Sequence, residues 1–84
     1  MTDTQVLIYI SNDCSSCQKL MKKMDQWDVS YKIKNITSND ANKKELQDYG
    51  IYGTPATFIN EKSEPILGFQ INKLKRALNI NGFA

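Results

Sequence analysis

The residues best suited to chemistry are the two cysteines of the chain, Cys14 and Cys17, which are separated by Ser15 and Ser16. A thiolate is the nucleophile of thiol–disulfide exchange, and two thiols at this spacing can close a disulfide. The pair follows an apolar run and opens a helical pattern. We therefore expect Cys14 at a helix N-terminus, where unpaired N–H groups and the helix dipole stabilise an anion. Cys17 is expected about one turn inside the helix, on its buried face.

This placement predicts a two-step exchange. The Cys14 thiolate attacks a substrate disulfide, and Cys17 then attacks Cys14 and releases the reduced substrate. The hydroxyls of Ser15 and Ser16 could hydrogen-bond the sulfur, or both serines could be ordinary first-turn residues. Asp13 is either solvated and of little effect, or its charge makes the neighbouring thiol less acidic.

Two other interpretations of the cysteines stay open. They could be small core residues, although that is a poor account of two cysteines in one strand-to-helix turn. They could also supply two ligands of a metal site. A structural zinc site takes four ligands, and the chain has no third cysteine and no histidine. A dimer sharing two pairs, or a cluster with outside thiols, would be needed to complete such a site.

A second informative segment is the run from Tyr49 to Pro55, in which two glycines and a proline precede an apolar strand pattern. A proline fits the start of a strand. Because only about 5–6% of X–Pro bonds are cis in folded proteins, base rates alone favour a trans bond before Pro55.

The elements that must position these residues follow from hydrophobic periodicity. Runs rich in β-branched and aromatic residues predict strands, and apolar residues three and four apart predict helices. Polar turn residues, among them Ser11-Asn12-Asp13 as a possible helix cap, separate the segments. We expect strands at Gln5–Ile10, Val29–Ile36, Ala56–Ile59 and from Pro65 to Leu67, and helices at about Ser15–Trp27 and Ala41–Tyr49, with a last helix capped by Asn72.

The same periodicity predicts which helical residues face the sheet, and Gly50 is expected to end the second helix. The predicted inward residues are Cys17, Leu20, Met21, Met24 and Trp27 in the first helix, Leu46 and Tyr49 in the second, and Leu74, Ala77 and Leu78 in the last.

The resulting order is β-α-β-α-β-β-α, which predicts an α/β fold with a four-stranded mixed sheet flanked by three helices. The first βαβ unit should be parallel and right-handed. The polar turn at Asn60–Glu64 predicts an antiparallel pairing of the last two strands. We expect one domain over residues 1–84.

Composition limits the classes of partner. The net charge of the 84 residues is +2, too small to indicate nucleic acid or an anionic membrane as a partner. No apolar run approaches the roughly 20 residues of a membrane span, and the run from Val6 to Ile10 is too short for a signal peptide. We therefore expect a cytoplasmic monomer whose thiols are kept reduced, without a structural disulfide.

The chain resembles the thioredoxin superfamily, and among its members the glutaredoxin-like and NrdH-type redoxins most. The resemblance covers nearly the whole chain and implies a thioredoxin-like fold. It depends on three motifs in this order: Cys14-Ser15-Ser16-Cys17, Gly53-Thr54-Pro55 and Gly68-Phe69.

The resemblance also implies roles for residues outside the cysteine pair. The bond before Pro55 would be cis, and the proline would pack against the dithiol. Thr54 would offer its backbone to the substrate, and Gly68 would let the backbone come close beside the same groove. Tyr52 would lie on the rim of this groove, although packing into the core is a comparable expectation for it.

Departures from the family patterns bear on the reductant. Asp13 stands where a thioredoxin has Trp, and two serines replace Gly-Pro. The segment Gly68-Phe69-Gln70-Ile71-Asn72 lacks the acidic residue of glutathione-binding glutaredoxins. The resemblance thus implies a carrier that binds no cofactor, receives electrons from NADPH through a flavin-dependent thioredoxin reductase, reduces a protein disulfide and serves ribonucleotide reductase. The alternatives are a glutathione-dependent glutaredoxin, a metal or iron–sulfur binding module, and an adaptor with incidental cysteines.

Overall fold

A four-stranded sheet with strand order β2-β1-β3-β4 forms the centre of the fold. The computed structural model describes residues 5–60 and 65–78. The elements are β1 (Val6–Ile10), α1 (Ser15–Gln26), β2 (Lys32–Asn35), α2 (Asp40–Asp48), β3 (Ala56–Ile59), β4 (Ile66–Leu67) and α3 (Ile71–Ala77).

The strand pairing confirms the predicted mixed sheet. β1 and β2 are parallel, whereas β1 pairs with β3 and β3 pairs with β4 in antiparallel fashion. Of the polar turn predicted between the last two strands, Asn60 is described, and residues 61–64 lie outside the described part of the chain.

The two faces of β1 serve two separate apolar clusters, because successive side chains of a strand point to opposite faces. Tyr9 belongs to the cluster on the α2 face, with Leu46, Ile51 and Ala56, and Leu7 packs against it. The larger cluster joins the sheet to α1 and α3 and consists of Val6, Ile8, Ile10, Cys17, Leu20, Met24, Ile59, Ile66 and Leu74. Met21 and Trp27 pack against this larger cluster, so the predicted inward face of α1 is confirmed.

The end of α1 explains why β2 is shorter than predicted. Asp28 adopts a left-handed conformation with φ 59°, and the N–H of Val29 donates to the carbonyl of Met24 at 2.9 Å. Together with the bond from the N–H of Asp28 to the carbonyl of Asp25 at 3.1 Å, this bond forms a Schellman motif, so Val29 closes the helix instead of starting a strand. The predicted strand Val29–Ile36 therefore starts three residues too early, whereas its end lies one residue beyond the observed end at Asn35. Ile33 within the strand is 49% exposed.

The second helix begins and ends close to its predicted limits. Asn39 caps its N-terminus, and Gly50, with φ 79°, follows its C-terminus as predicted. Leu46 is buried, as expected. Tyr49 is 64% exposed, so its predicted inward position was wrong. Its ring lies against the ring of Phe58, with 4.9 Å between centroids.

The start of α3 differs from the prediction. The helix begins at Ile71 with Gln70 at the N-cap position, so Asn72 lies inside the helix and does not cap it. This start turns Leu74 and Leu78, four residues apart, toward the large cluster, whereas Ala77 is exposed and was wrongly predicted to face inward. None of the helices in the described ranges is long and apolar enough to cross a membrane.

Candidate active site

The loop between β1 and α1 places Cys14 at the N-cap of α1. Its backbone is extended, with φ −110° and ψ 99°, and its Sγ accepts a hydrogen bond from the N–H of Cys17 at 3.1 Å. A sulfur atom thus takes the position that a serine or aspartate oxygen usually holds at a helix start. Asp13 precedes it with φ 57°, so the predicted cap among Ser11, Asn12 and Asp13 was one residue too early.

Cys14 and Cys17 form a disulfide with a Cα–Cα distance of 5.2 Å. The two sulfurs differ in access. Cys17 is 1% exposed and belongs to the large core cluster, whereas Cys14 is half-buried and packs at its edge. An incoming thiolate or disulfide can therefore approach Cys14 but not Cys17.

The segment before β3 meets the disulfide from the other side. The Thr54–Pro55 peptide bond is cis, as the resemblance implied, and Pro55 is fully buried. The hydroxyl Oγ1 of Thr54 lies 3.8 Å from the Sγ of Cys14, at hydrogen-bond distance for sulfur.

Gly68 joins this arrangement through its backbone. Its N–H donates to the carbonyl of Pro55 at 2.9 Å, which ties the end of β4 to the cis-proline segment. Its φ of 75° favours glycine. A Cβ atom at this position would meet no atom of the described chain within 4 Å, so the backbone conformation accounts for the glycine within the molecule itself.

The remaining predicted site residues are less closely engaged. Tyr52 is 77% exposed, which shows that the core alternative for it was wrong. Ser15 is exposed and Ser16 half-buried. Within residues 5–60 and 65–78, the hydrogen bonds to cysteine sulfur come from the Cys17 amide and the Thr54 hydroxyl, and neither serine donates one.

The sequence did not indicate the side chain that holds the Thr54 hydroxyl. The oxygen atoms of Ser11 and Thr54 are 2.6 Å apart, although 43 residues separate them along the chain. In the sequence Ser11 looks like an ordinary turn residue, and only the pairing of β1 with β3 brings it beside Thr54.

Comparison with known proteins decides the family. The family model described as Glutaredoxin matches residues 6–64, well over half of the chain. The chain belongs to the glutaredoxin family. It is 25% identical over 76 residues to the Gene 56 protein of Mycobacterium phage D29, a match that covers 90% of this chain and 84% of that protein.

Solved structures agree with the predicted thioredoxin-like fold. A mutant of the thioredoxin-like protein BC3987 superposes with a TM-score of 0.80 at 31% identity, covering 88% of this chain and 99% of that one. The glutaredoxin-like NrdH-redoxin of Escherichia coli shares the fold with a TM-score of 0.77 at 19% identity, covering 86% and 92% of the two chains.

Membership of the glutaredoxin family, together with the Cys14–Cys17 pair, makes this protein a thiol–disulfide oxidoreductase. Its substrates are disulfides, and a separate reductant must restore the dithiol after each turnover. The described residues contain no group of three or more His, Cys, Asp or Glu side chains that could hold a metal ion.

A groove of about 810 Å³ lies away from the disulfide of this glutaredoxin-family protein. Tyr9, Tyr49 and Phe58 line it on the α2 face of the sheet, and neither cysteine contributes to it. The disulfide thus lies outside this groove, at the start of α1 and beside Thr54.

Proposed function

We propose that the protein is a dithiol electron carrier that reduces a disulfide of a protein substrate, with Cys14 as the nucleophile and Cys17 as the resolving thiol. The observation that carries this proposal is the asymmetry of the pair. Cys14 is accessible and capped by a backbone N–H, whereas Cys17 is buried one turn further on. A helix N-terminus and an N–H donor lower the pKa of a thiol and favour the attacking anion.

The Cys14 thiolate bonds to one sulfur of the substrate disulfide, and the other substrate sulfur leaves as a thiolate. Cys17 then loses its proton and bonds to Cys14, and the second substrate sulfur leaves. Two electrons pass to the substrate, which takes up two protons, and the Cys14–Cys17 disulfide remains.

Substrate binding is assigned to the cleft around Cys14. The backbone of Thr54 would pair with an extended stretch of substrate beside the disulfide, a mode of recognition that uses main-chain hydrogen bonds. Pro55 would shape the cleft, Gly68 would leave room for the substrate backbone, and Tyr52 would contribute an exposed aromatic ring at the rim. Ser15 and Ser16 flank the cleft on α1.

For the electron source we propose NADPH acting through a flavin-dependent thioredoxin reductase. We also propose that the protein is a cytoplasmic monomer with ribonucleotide reductase as an acceptor. The support for this electron source over glutathione lies in the segment from Gly68 to Asn72. The first turn of α3 carries no acidic residue, whereas a site for glutathione needs polar partners for both its amino and carboxylate groups.

The test compares two reductants on the oxidised protein. With NADPH and a thioredoxin reductase we expect the Cys14–Cys17 disulfide to be reduced and a disulfide substrate such as insulin to be turned over. With glutathione and glutathione reductase we expect little turnover of a glutathione mixed disulfide. Activity with glutathione and none with the thioredoxin reductase would establish the glutathione-dependent alternative instead.

Single-cysteine variants separate the roles of the two thiols. Cys14→Ser should abolish turnover, because no accessible nucleophile remains. Cys17→Ser should accumulate a mixed disulfide with the substrate, visible by mass spectrometry, because the resolving step is missing. Accumulation with Cys14→Ser in place of Cys17→Ser would reverse the assignment.

A further inference from the structure

Two hydroxyl groups, those of Ser11 and Thr54, form a chain of contacts that ends at the sulfur of Cys14. The Ser11 and Thr54 oxygens are 2.6 Å apart, and the Thr54 oxygen is 3.8 Å from the sulfur. All three side chains are half-buried, where water competes less for hydrogen bonds than at an exposed site. Ser11 therefore reaches the reactive atom through Thr54.

The single hydroxyl proton of Thr54 determines which group donates each of these hydrogen bonds. A threonine hydroxyl has one proton, so when Thr54 donates to the sulfur it can only accept from Ser11. A disulfide sulfur is a weak acceptor, whereas a thiolate is an ionised one that forms stronger hydrogen bonds. Reduction of Cys14 should thus order both hydroxyls in one direction, from Ser11 to Thr54 to the sulfur.

The backbone around Ser11 is held independently of the cysteines. The carbonyl of Ile10 accepts from the N–H of Ile36 at 2.8 Å, and the N–H of Asn12 donates to Thr37 Oγ1 at 3.0 Å. Ser11 lies between these two anchored residues, so its backbone is held by contacts to which neither cysteine contributes.

We propose that Ser11 is a positioning residue that holds the Thr54 hydroxyl in the orientation in which it donates a hydrogen bond to the sulfur of Cys14. The inference rests on the proposed role of Cys14 as the nucleophile. It gives Thr54 a side-chain function in addition to its proposed backbone contact with the substrate. It also requires that Ser11 acts on the sulfur only through Thr54.

The test is a pH titration of the Cys14 thiol, followed by the ultraviolet absorbance of the thiolate, in the full chain carrying Cys17→Ser so that a single thiol titrates. Ser11→Ala is expected to raise the pKa of Cys14 by about half a unit, which is roughly a threefold loss of thiolate below the pKa. Thr54→Val keeps the shape of the side chain and should raise the pKa at least as much. Adding Ser11→Ala to Thr54→Val should then cause no further shift.

The variants share their other ionisable groups, so the comparison isolates the two hydroxyls. Asp13 precedes Cys14, and Tyr52 lies in the segment that leads to Thr54. Helix α3 packs on the same face as α1 and adds basic residues. Every variant retains these ionisable groups, namely Asp13, Tyr52, Lys73, Lys75 and Arg76.

Two controls complete the design. Ser11→Thr keeps the hydroxyl and should keep the pKa, whereas Ser30→Ala removes an exposed loop hydroxyl and should leave it unchanged. If Ser11→Ala does not fold, the pair Ser11→Thr and Ser11→Val repeats the comparison. An unchanged pKa in Ser11→Ala, or an equal shift with and without Thr54→Val, would overturn the inference. The titration needs no reductase, so it can fail or succeed separately from the proposed electron source.

Discussion

At the scale of single residues, the sulfur of Cys14 has two tasks. It accepts the N–H of Cys17 at the start of α1, and it is the accessible atom of the disulfide. An oxygen cap would satisfy the same N–H, but it could not exchange disulfides. The chemistry, and not the cap, therefore requires a cysteine at this position, and the scarcity of cysteine in the chain made this residue easy to predict.

Other residues of the site could not be predicted in the same way. The partner of the Ser11 hydroxyl is 43 residues away along the chain, and no local pattern around Ser11 distinguishes it from a turn serine. The cis bond before Pro55 followed from the family resemblance, because the residues alone favour trans.

A buried hydroxyl on β3 offers a prediction about stability. Thr57 is 0% exposed, faces Ile8 across the strand pair, and its Oγ1 has no hydrogen-bond partner in the described ranges. Thr57→Val removes this polar atom at nearly constant volume. We expect the free energy of unfolding to rise by about 1 kcal/mol, measured by urea denaturation.

Thr37→Val provides the matched control, because the hydroxyl of Thr37 accepts a hydrogen bond from the N–H of Asn12. The free energy of unfolding of that variant should be lower than that of the parent, because the N–H of Asn12 loses its acceptor. A Thr57→Val protein less stable than the parent would show that the buried hydroxyl is satisfied in solution.

At the scale of elements, the ends of the helices decide where the strands begin. Both α1 and α2 close with Schellman motifs, but with different residues at the left-handed position: Asp28 after α1 and Gly50 after α2. The glycine was recognisable in the sequence, and the end of α2 was predicted well. Asp adopts this conformation less often than Gly. The left-handed turn at Asp28 and the late start of β2 were therefore missed, although α1 ends within one residue of the predicted limit at Trp27.

The cap of α2 gives a second prediction. The side-chain oxygen of Asn39 accepts hydrogen bonds from the N–H groups of Ala41 at 2.9 Å and Asn42 at 3.4 Å. Asn39→Ala leaves these groups without their partner and should lower the free energy of unfolding by about 1 kcal/mol, with an unchanged denaturant slope. Asn39→Asp retains the acceptor and should retain most of the stability. Equal losses in both variants would contradict a capping role.

At the scale of the whole molecule, one polar cluster connects three elements on the α2 face. Glu45 of α2 accepts hydrogen bonds from Lys34 of β2 at 2.8 Å and from the hydroxyl of Tyr9 of β1 at 3.0 Å. The bond from Lys34, then that from Tyr9, lowers the pKa of Glu45 below its ordinary value of 4.5. Burial, followed by the bond to Glu45, raises the pKa of Tyr9 to about 12.

This cluster predicts how stability depends on pH. Because the pKa of Glu45 is lower in the folded state, its contribution is present above its ordinary pKa of 4.5 and is lost as the pH falls through the lowered value. We expect the free energy of unfolding to fall less steeply below about pH 5 in Glu45→Gln than in the parent. Lys34→Met removes the largest cause and should flatten the same region. If the free energy of unfolding falls equally steeply with pH in all three proteins, Glu45 does not contribute to the pH dependence of stability.

The sheet order has a consequence for the durability of the molecule. β1, which leads into the reactive loop, is hydrogen-bonded to β2 on one side and β3 on the other, and Cys14 lies four residues beyond its last residue, Ile10. We therefore expect the disulfide to be made and broken without opening the hydrogen bonds between β1 and its two neighbouring strands. Any rearrangement that accompanies the exchange should be confined to the loop between β1 and α1 and to the first turn of α1.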